Sequence, residues 1–394
     1  MDESFDPLDT NAGIPYEGLA RLRREAPISR TPGGVWFLAR KDDVLEATRR
    51  VDCFISSFRE PGVVVPDEEQ LISEIPEPRH GKIRMIVNSA IAAHRLGPVS
   101  SFAAELSGRL LSEILPRGHA ELMHALVMPI PNSVIAYMLG VPTEDFALWA
   151  QWSDDVVEGD YATKNRSERG EGLAGGFPEF TAYVDAQIAE RRATPRGKDD
   201  FITRLIEAEV EGQRLTDVEA RTMIVFLLVA GNETTRNLIG NLLSNLVDDP
   251  ELFAKLQAQP DLVTRAIEES LRLDPPVAFL LRDCIQDITI GGIQIKKGEK
   301  VAYGLASANR DESHFEDPDS FRLDRPEPKG HATFGGGPHV CPGSALARLE
   351  TKVTLEQFVA RVASVERDAS HERGRVPVFW ANGPATLHVK IAGR

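Results

Sequence analysis

The chain has 394 residues, 42% hydrophobic and 27% charged, which is the make-up of a soluble globular protein and excludes a stapled mini-protein or wholesale disorder. Against 60 Asp and Glu stand 45 Lys and Arg, a formal charge of −15 whose field repels polyanions and argues against nucleic-acid binding. The longest useful apolar run, Met223 to Ala230, falls well short of the ~20 residues of a membrane helix, and the start Met1-Asp-Glu-Ser-Phe-Asp-Pro lacks the basic and apolar regions of a secretory signal, so a cytoplasmic protein with no membrane partner is expected.

Early in the chain, Gly33-Gly34 reads as a turn before a β-prone run, Val35 to Arg40, and Asp42 to Arg50 reads as a helix. A long middle of mostly helical periodicity follows. Within it, Thr216-Asp-Val-Glu219 is a capping box that opens a helix running to the Asp248-Asp249-Pro250 stop, about thirty residues or ~45 Å. The centre of this helix, Met223 to Ala230, is apolar on every side and is therefore expected to be buried all round. Gly231-Asn232-Glu233-Thr234-Thr235 then places polar groups in that interior. Burying a carboxylate and hydroxyls without partners there costs several kcal/mol, and Gly costs about 1 kcal/mol relative to Ala. Two readings are open. In one, Thr234 bonds back to the Ala230 carbonyl while Glu233 reaches solvent at a bend; in the other, the bend opens a groove for a small polar ligand with a proton donor beside it.

After Pro275-Pro276, Ile288 and Ile290 alternate, as do Ile293 and Ile295, on either side of Gly291-Gly292, which predicts a hairpin. Val376 and Val378, and then Leu387, Val389 and Ile391, alternate as strands do. No repeat, low-complexity tract or linker marks a domain boundary, although the length alone suggests two or three domains. The expected fold class is mainly α with a smaller β-rich part.

Three cysteines, Cys53, Cys284 and Cys341, are widely separated and form no Cys-x-x-Cys, which argues against disulfides and structural zinc. Cys341 lies in Phe334-Gly-Gly-Gly-Pro-His-Val-Cys341-Pro-Gly343, ahead of a helical run from Ser344 to Val362. The glycines let the backbone approach a flat or bulky object, and the free N–H groups of the following helix favour a thiolate, the form that binds metal. A phosphate cradle is disfavoured, because the Gly-Lys-Ser/Thr ending is absent. A nucleophilic cysteine with His339 as base, and a buried inert cysteine, are the other readings of the loop by itself.

The loop fills every fixed position of Phe-Gly-x-Gly-x-His-x-Cys-x-Gly and so resembles that of the cytochrome P450 family, the haem-thiolate monooxygenases. The resemblance extends to Ala230-Gly231-x-Glu233-Thr234-Thr235, Glu269-Ser-Leu-Arg272, Ala308-Asn-Arg-Asp311 and Phe321-Arg-Leu-Asp-Arg325, in family order from Trp36 to Val389. It implies the cytochrome P450 fold, a mainly helical triangular prism with a smaller β-rich lobe, in a single domain over 1–394 without a fused reductase. It also implies haem b (iron protoporphyrin IX) as cofactor. Cys341 would be the metal ligand, its thiolate donating electron density that favours O–O cleavage. Phe334 would pack near the proximal face of the haem, and Ala230 and Gly231 would lie against the cofactor. His80 and Arg84 of His80-Gly-Lys-Ile-Arg84, with Arg282 and His339, would meet the propionates. Glu233 and Thr234 would guide protons to dioxygen. Glu269, Arg272 and Arg325 are read as a buried ionic cluster under the cysteine loop, although periodicity alone makes the first two an exposed pair worth under about 0.5 kcal/mol. His331 is read as loop structure. Pro342 departs from the usual pattern: it has no N–H to draw charge from the sulfur, so the thiolate should be more electron-rich.

By position, Val277, Ala278, Phe279 and Leu280, with Trp380 and Ala381, are expected to face a small, mainly apolar or aromatic substrate. Segments around Phe58 to Glu74 and Asp155 to Pro178 would control access. The implied reaction inserts one atom of O2, by hydroxylation or O-dealkylation. Electrons would come from a ferredoxin and ferredoxin reductase docking where Arg79, Lys82 and Arg348 supply positive charge. The rival readings are a peroxide-driven haem peroxygenase and a non-catalytic haem protein that senses a gas or recruits a partner.

Overall fold

The protein was analysed as a computed structural model that describes residues 5–56, 65–91, 96–158, 176–194, 200–326, 330–376 and 378–394. In chain order the helices are α1 (Tyr16–Glu25), α2 (Lys41–Arg49), α3 (Arg79–Ala90), α4 (Leu96–Ile114), α5 (Pro129–Leu139), α6 (Phe146–Glu158) and α7 (Pro178–Ala193). They continue with α8 (Phe201–Glu207), α9 (Asp217–Asp248), α10 (Pro250–Ala258), α11 (Val263–Leu273), α12 (Leu305–Ala308) and α13 (Ser344–Arg361). The strands are β1 (Ile28–Arg30), β2 (Trp36–Leu38), β3 (Phe54–Ser56), β4 (His119–Glu121), β5 (Leu280–Cys284), β6 (Ile288–Ile290), β7 (Ile293–Ile295), β8 (Lys300–Tyr303), β9 (Val362–Arg367) and β10 (His388–Gly393). This is the mainly α fold with a smaller β part that the sequence predicts. None of the described helices is long and apolar enough to cross a membrane.

The chain divides into two compact units, one of Met1–Phe54, Ser100–Ile130 and Thr234–Arg394, the other of Ile55–Val99 and Pro131–Glu233. In the first unit β2 runs antiparallel to β1, with Ile28 opposite Leu38, and parallel to β8, with Trp36 beside Val301. β8 is antiparallel to β5, where Arg282 faces Val301. Leu38, Val44, Ile290, Ile295, Val301 and Tyr303 form the core beneath these strands. The predicted hairpin is β6–β7, closed by Gly291 and Gly292 at φ 51° and 82°, values that favour glycine. β10 pairs with β4 on one side and β9 on the other, Val389 lying opposite both Ala120 and Arg367.

Two expectations are corrected. Among the described residues Val376 and Val378 belong to no strand: beside them lies the isolated bridge Arg375–Pro384, and Pro384, with no N–H, does not extend a ladder. β9 is missed by the sequence reading because its burial alternates every three residues, Val362 and Val365 inward, so it reads as a continuation of the helix before it.

In the second unit Trp149 of α6 meets Phe180 and Tyr183 of α7 edge-on, with ring centres 5.5 and 5.8 Å apart, while Trp152 stacks on Phe180 at 5.1 Å. Arg191, fully buried, donates to Asp200 and to the Leu139 and Gly140 carbonyls, tying α7 to the end of α5 and the start of α8. The capping box of α9 forms as predicted: Thr216 N–H donates to Glu219 Oε2 (2.8 Å), and Glu219 N–H to Thr216 Oγ1 (3.2 Å).

Glu350 of α13 is 1% exposed, its Oε2 has no hydrogen-bond partner among the described residues, and burial pushes its carboxyl up to about 8. Because the folded value lies above the unfolded one, stability is complete below about 4.5 and is lost as pH rises toward about 8. Glu350→Gln should therefore raise stability near pH 7 by on the order of 3 kcal/mol and flatten its pH dependence. Chemical denaturation of both proteins across that range is the measurement, and a variant no more stable than the parent at pH 7 would refute the expectation.

Candidate active site

The cysteine loop reverses tightly. Gly335 N–H bonds the Ala332 carbonyl (2.8 Å), and Cys341 N–H returns to the Phe334 carbonyl (2.9 Å), so these two residues close one turn. Gly335 and Gly337 take φ of 70° and 63°, the left-handed region. A Cβ at Gly337 would strike the Thr48 carbonyl, and one at Gly336 would sit 2.7 Å from Thr48 Oγ1, so both glycines allow the loop to lie against α2. His339 ends a short 3-10 turn, and Gly343 precedes the first residue of α13. Cys341 is half-buried beside that helix start, whereas Cys53 and Cys284 are fully buried. Burial pushes the Cys53 thiol up to about 11 and raises that of Cys284 as well, so both stay protonated at neutral pH. Cys341, half-buried beside a helix start, is instead in the kind of setting that favours a thiolate.

Beneath the loop, Glu269 is 2% exposed and accepts from Arg272 Nε and Nη2 (2.9 and 2.8 Å), Arg325 Nε (2.8 Å) and Arg322 N–H (2.8 Å). Arg272 spends its other donors on the carbonyls of Asn309, Pro318 and Ser320. Asn309 carries the order into the loop: its Oδ1 accepts from Ala332 N–H (2.7 Å) and its Nδ2 donates to Thr333 Oγ1 (2.8 Å). Thr333 Oγ1 in turn donates to the Leu271 carbonyl of α11 (2.6 Å). The exposed pair suggested by i, i+3 spacing is in fact the centre of a buried ionic network, because the chain at 309–325 folds over α11.

Beside Phe334 the structure places residues whose roles the sequence reading missed. Glu268 is held at 2.6 and 2.9 Å by the Arg348 fork and at 3.1 Å by His331 Nε2. Burial opposes its charge, but His331 and Arg348 hold the carboxyl down at about 2. Arg348 is therefore committed to an internal acid. Arg79 likewise pairs with Glu219 (2.6 Å) and Lys82 with Glu211 (2.9 Å). Of the expected docking cations, Arg79, Lys82 and Arg348 each pair with a carboxylate, and their side chains remain 33%, 32% and 26% exposed. The adjacent acids Glu268-Glu269 were the available signal, since two carboxylates in a buried helix need two sets of cations.

In the second unit, His80 is 1% exposed and lies one turn before half-buried Arg84 on α3. Glu77 fixes the imidazole through Nδ1 (2.8 Å) and also accepts from Gly81 N–H (3.1 Å). Along α9, which is helical without a break, Glu233 is 1% exposed, which removes the reading in which it reaches solvent. Phe226, Leu227, Ala230, Gly231 and Thr234 form a half-exposed stripe, spaced three and four apart, in the middle of the helix, where the other described side chains are buried. A Cβ on Gly231 would lie 2.9 Å from Ile135 Cδ1, so close packing on α5 accounts for that glycine.

Of the expected substrate-facing residues, the two segments do meet: Ala278 N–H bonds the Trp380 carbonyl (2.8 Å), and Val277 bridges Ala381. Phe279 is corrected. It is 2% exposed, packed with Ala278 and Ala306 in a core that also takes Leu8, Ile14 and Tyr16, because the N-terminal segment covers it. Val277, Leu280 and Trp380 keep exposed surface, and Ala278 and Ala381 are buried. Of the access segments around Phe58 to Glu74 and Asp155 to Pro178, residues 58–64 and 159–175 lie outside the described residues.

Arg282 lies half-buried on β5, its guanidinium carbon 5.3 Å from the Tyr303 ring centre. Burial pushes this guanidinium below its usual value, with Tyr303 acting the other way, a situation that an added carboxylate such as a propionate relieves. With a half-buried thiol at a helix start and an aromatic side chain in the same turn, the donor set fits a thiolate-ligated iron porphyrin.

Residues 178–363 match the family model for cytochrome P450. The chain is 33% identical over 382 residues to Cytochrome P450 109 of Bacillus spizizenii, covering 96% of this chain and 92% of that one. It is 34% identical over 400 residues to the methyl-branched lipid omega-hydroxylase of Mycobacterium tuberculosis, covering 94% and 89%. The crystal structure of CYP109E1 from Bacillus megaterium in complex with testosterone aligns with a TM-score of 0.85 at 31% identity, over 95% of this chain and 99% of that one.

Proposed function

The chain belongs to the cytochrome P450 family of haem-dependent monooxygenases, and from that premise we propose that it inserts one atom of O2 into a mainly apolar organic molecule, using electrons from a ferredoxin and its reductase. The observation that carries this reading is Cys341, half-buried at the start of α13 in a turn closed onto Phe334. We assign Cys341 as the iron ligand, Phe334 as its aromatic neighbour, and His80, Arg84, Arg282 and His339 as partners of the propionates, all within one cytochrome P450 domain. When bound, haem b supplies the reductive activation of O2.

Around it the side chains have separate tasks. Val277, Leu280 and Trp380 offer apolar and aromatic surface that orients the substrate. The relatives named for a methyl-branched lipid and bound to testosterone favour a substrate with a large aliphatic body, and hydroxylation before O-dealkylation. Thr234, on the half-exposed stripe of α9, holds a hydroxyl where a proton is needed, and buried Glu233 beside it is the acid that replenishes it.

The first test is the spectrum of the reduced, carbon monoxide-bound protein, where a thiolate-type Soret band is expected and its absence overturns the assignment of Cys341. A screen for ligands that shift the ferric spin state then narrows the substrate. With one in hand, Thr234→Ala should lower product formed per O2 consumed by about tenfold or more, the excess appearing as hydrogen peroxide. Undiminished coupling would remove Thr234 from the proton path, and turnover by peroxide alone at the reconstituted rate would replace this reading with a peroxygenase.

A further inference from the structure

Phe334 is flanked by two side chains, themselves tied together by a third, that the oxygenase reading leaves without a task. The Arg348 guanidinium carbon lies 4.4 Å from the centre of the Phe334 ring, and the His331 ring lies 5.9 Å from it at 48°. Glu268 ties the two together, accepting the Arg348 fork at 2.6 and 2.9 Å and His331 Nε2 at 3.1 Å. Thr333 N–H points to His331 Nδ1 (3.3 Å), which places the imidazole proton on Nε2, donated to Glu268. The Glu268 and His331 side chains are each 1% exposed, and that of Arg348 is 26% exposed. The cluster thus holds one anion, one cation and one neutral ring, with the cation laid on the aromatic face.

We infer that Glu268, Arg348 and His331 are positioning residues that hold Phe334 in place and, through their charge balance, set the reduction potential of the haem ligated by Cys341, an inference that rests on the P450 reading. Reduction adds negative charge to the iron site, so a nearby cation favours it and a nearby anion opposes it. In the intact cluster the two nearly cancel, and removing either leaves the other unbalanced.

The experiment is a spectroelectrochemical titration of the haem in the purified holoprotein, with Glu268→Gln, Arg348→Met and the double variant beside the parent. At an applied potential equal to the parent's midpoint, Glu268→Gln should raise the reduced-to-oxidised ratio about threefold and Arg348→Met lower it about threefold, with the double variant returning to the parent value. Shifts of opposite sign that cancel are something purely structural support would not produce. Midpoints that stay put, or move together while only the melting temperature falls, overturn the inference. Should Arg348→Met fail to retain haem, Arg348→Lys replaces it: with the cation kept and the fork lost, the parent midpoint is expected, and a shift as large as that of Glu268→Gln overturns the inference. Failure of the underlying reading is seen separately, as a parent protein whose reduced carbon monoxide complex lacks the thiolate band.

Discussion

Cys341→His should leave a folded protein that has lost nearly all oxygenase turnover. The turn around position 341 is held by backbone bonds, Cys341 N–H to the Phe334 carbonyl (2.9 Å) and Gly335 N–H to the Ala332 carbonyl (2.8 Å), which survive a change of side chain. With Cys341 as the proposed iron ligand, the substitution would remove the thiolate donor, and with it the electron donation that favours O–O cleavage. Product formation should fall on the order of 10³-fold, about 4 kcal/mol in the barrier. The reduced carbon monoxide spectrum should lose its thiolate band while the melting temperature changes little. A histidine variant that keeps turnover within a few-fold of the parent would show that the iron is held elsewhere.

Glu269→Ala should have the larger effect on folding. The carboxylate is 2% exposed and accepts from two buried guanidinium groups and the Arg322 N–H. Taking it away strands Arg272, 1% exposed, and Arg325, 6% exposed, without their anion. Breaking a buried ionic pair in this way costs about 3–5 kcal/mol, a large share of the roughly 5–15 kcal/mol that holds a protein folded. Because Asn309 and Leu271 pass this order to Ala332 and Thr333, haem retention should fail together with stability. Denaturant titration and haem content of the purified variant measure both. A midpoint within error of the parent would reduce Glu269 to an ordinary surface acid. Glu269→Asp, which keeps the charge but shortens its reach, should fall between the two.

The parts of the site legible in the sequence were those whose chemistry is carried by neighbours along the chain. The glycines, His339 and Cys341 occur within one turn, and α9 announces its start through the Thr216 and Glu219 capping box and its stop at Asp249-Pro250. Less legible were elements whose partners lie far away. β4, three residues long, is a strand only because β10 pairs with it. Phe279, read as substrate-facing, is covered by Leu8, Ile14 and Tyr16, some 260 or more positions earlier in the sequence. Arg348, read as a docking cation, is bound to Glu268.

From its residues alone the chain declares a cysteine in a glycine-rich turn ahead of a helix, a long buried helix with an acid and an alcohol at its centre, and a mainly helical fold. These follow from local spacing, since turn geometry, helix caps and i, i+4 faces depend on residues close in sequence. Only the tertiary structure decides which charges are buried and with whom. Glu268 and Glu269 are adjacent and look alike, yet one turns to Arg348 and His331 beside Phe334 and the other to Arg272 and Arg325 under the loop. A side chain's charge is written in its chemistry, but the exposure and partners that settle what that charge costs, and what it does, exist only once distant segments have met.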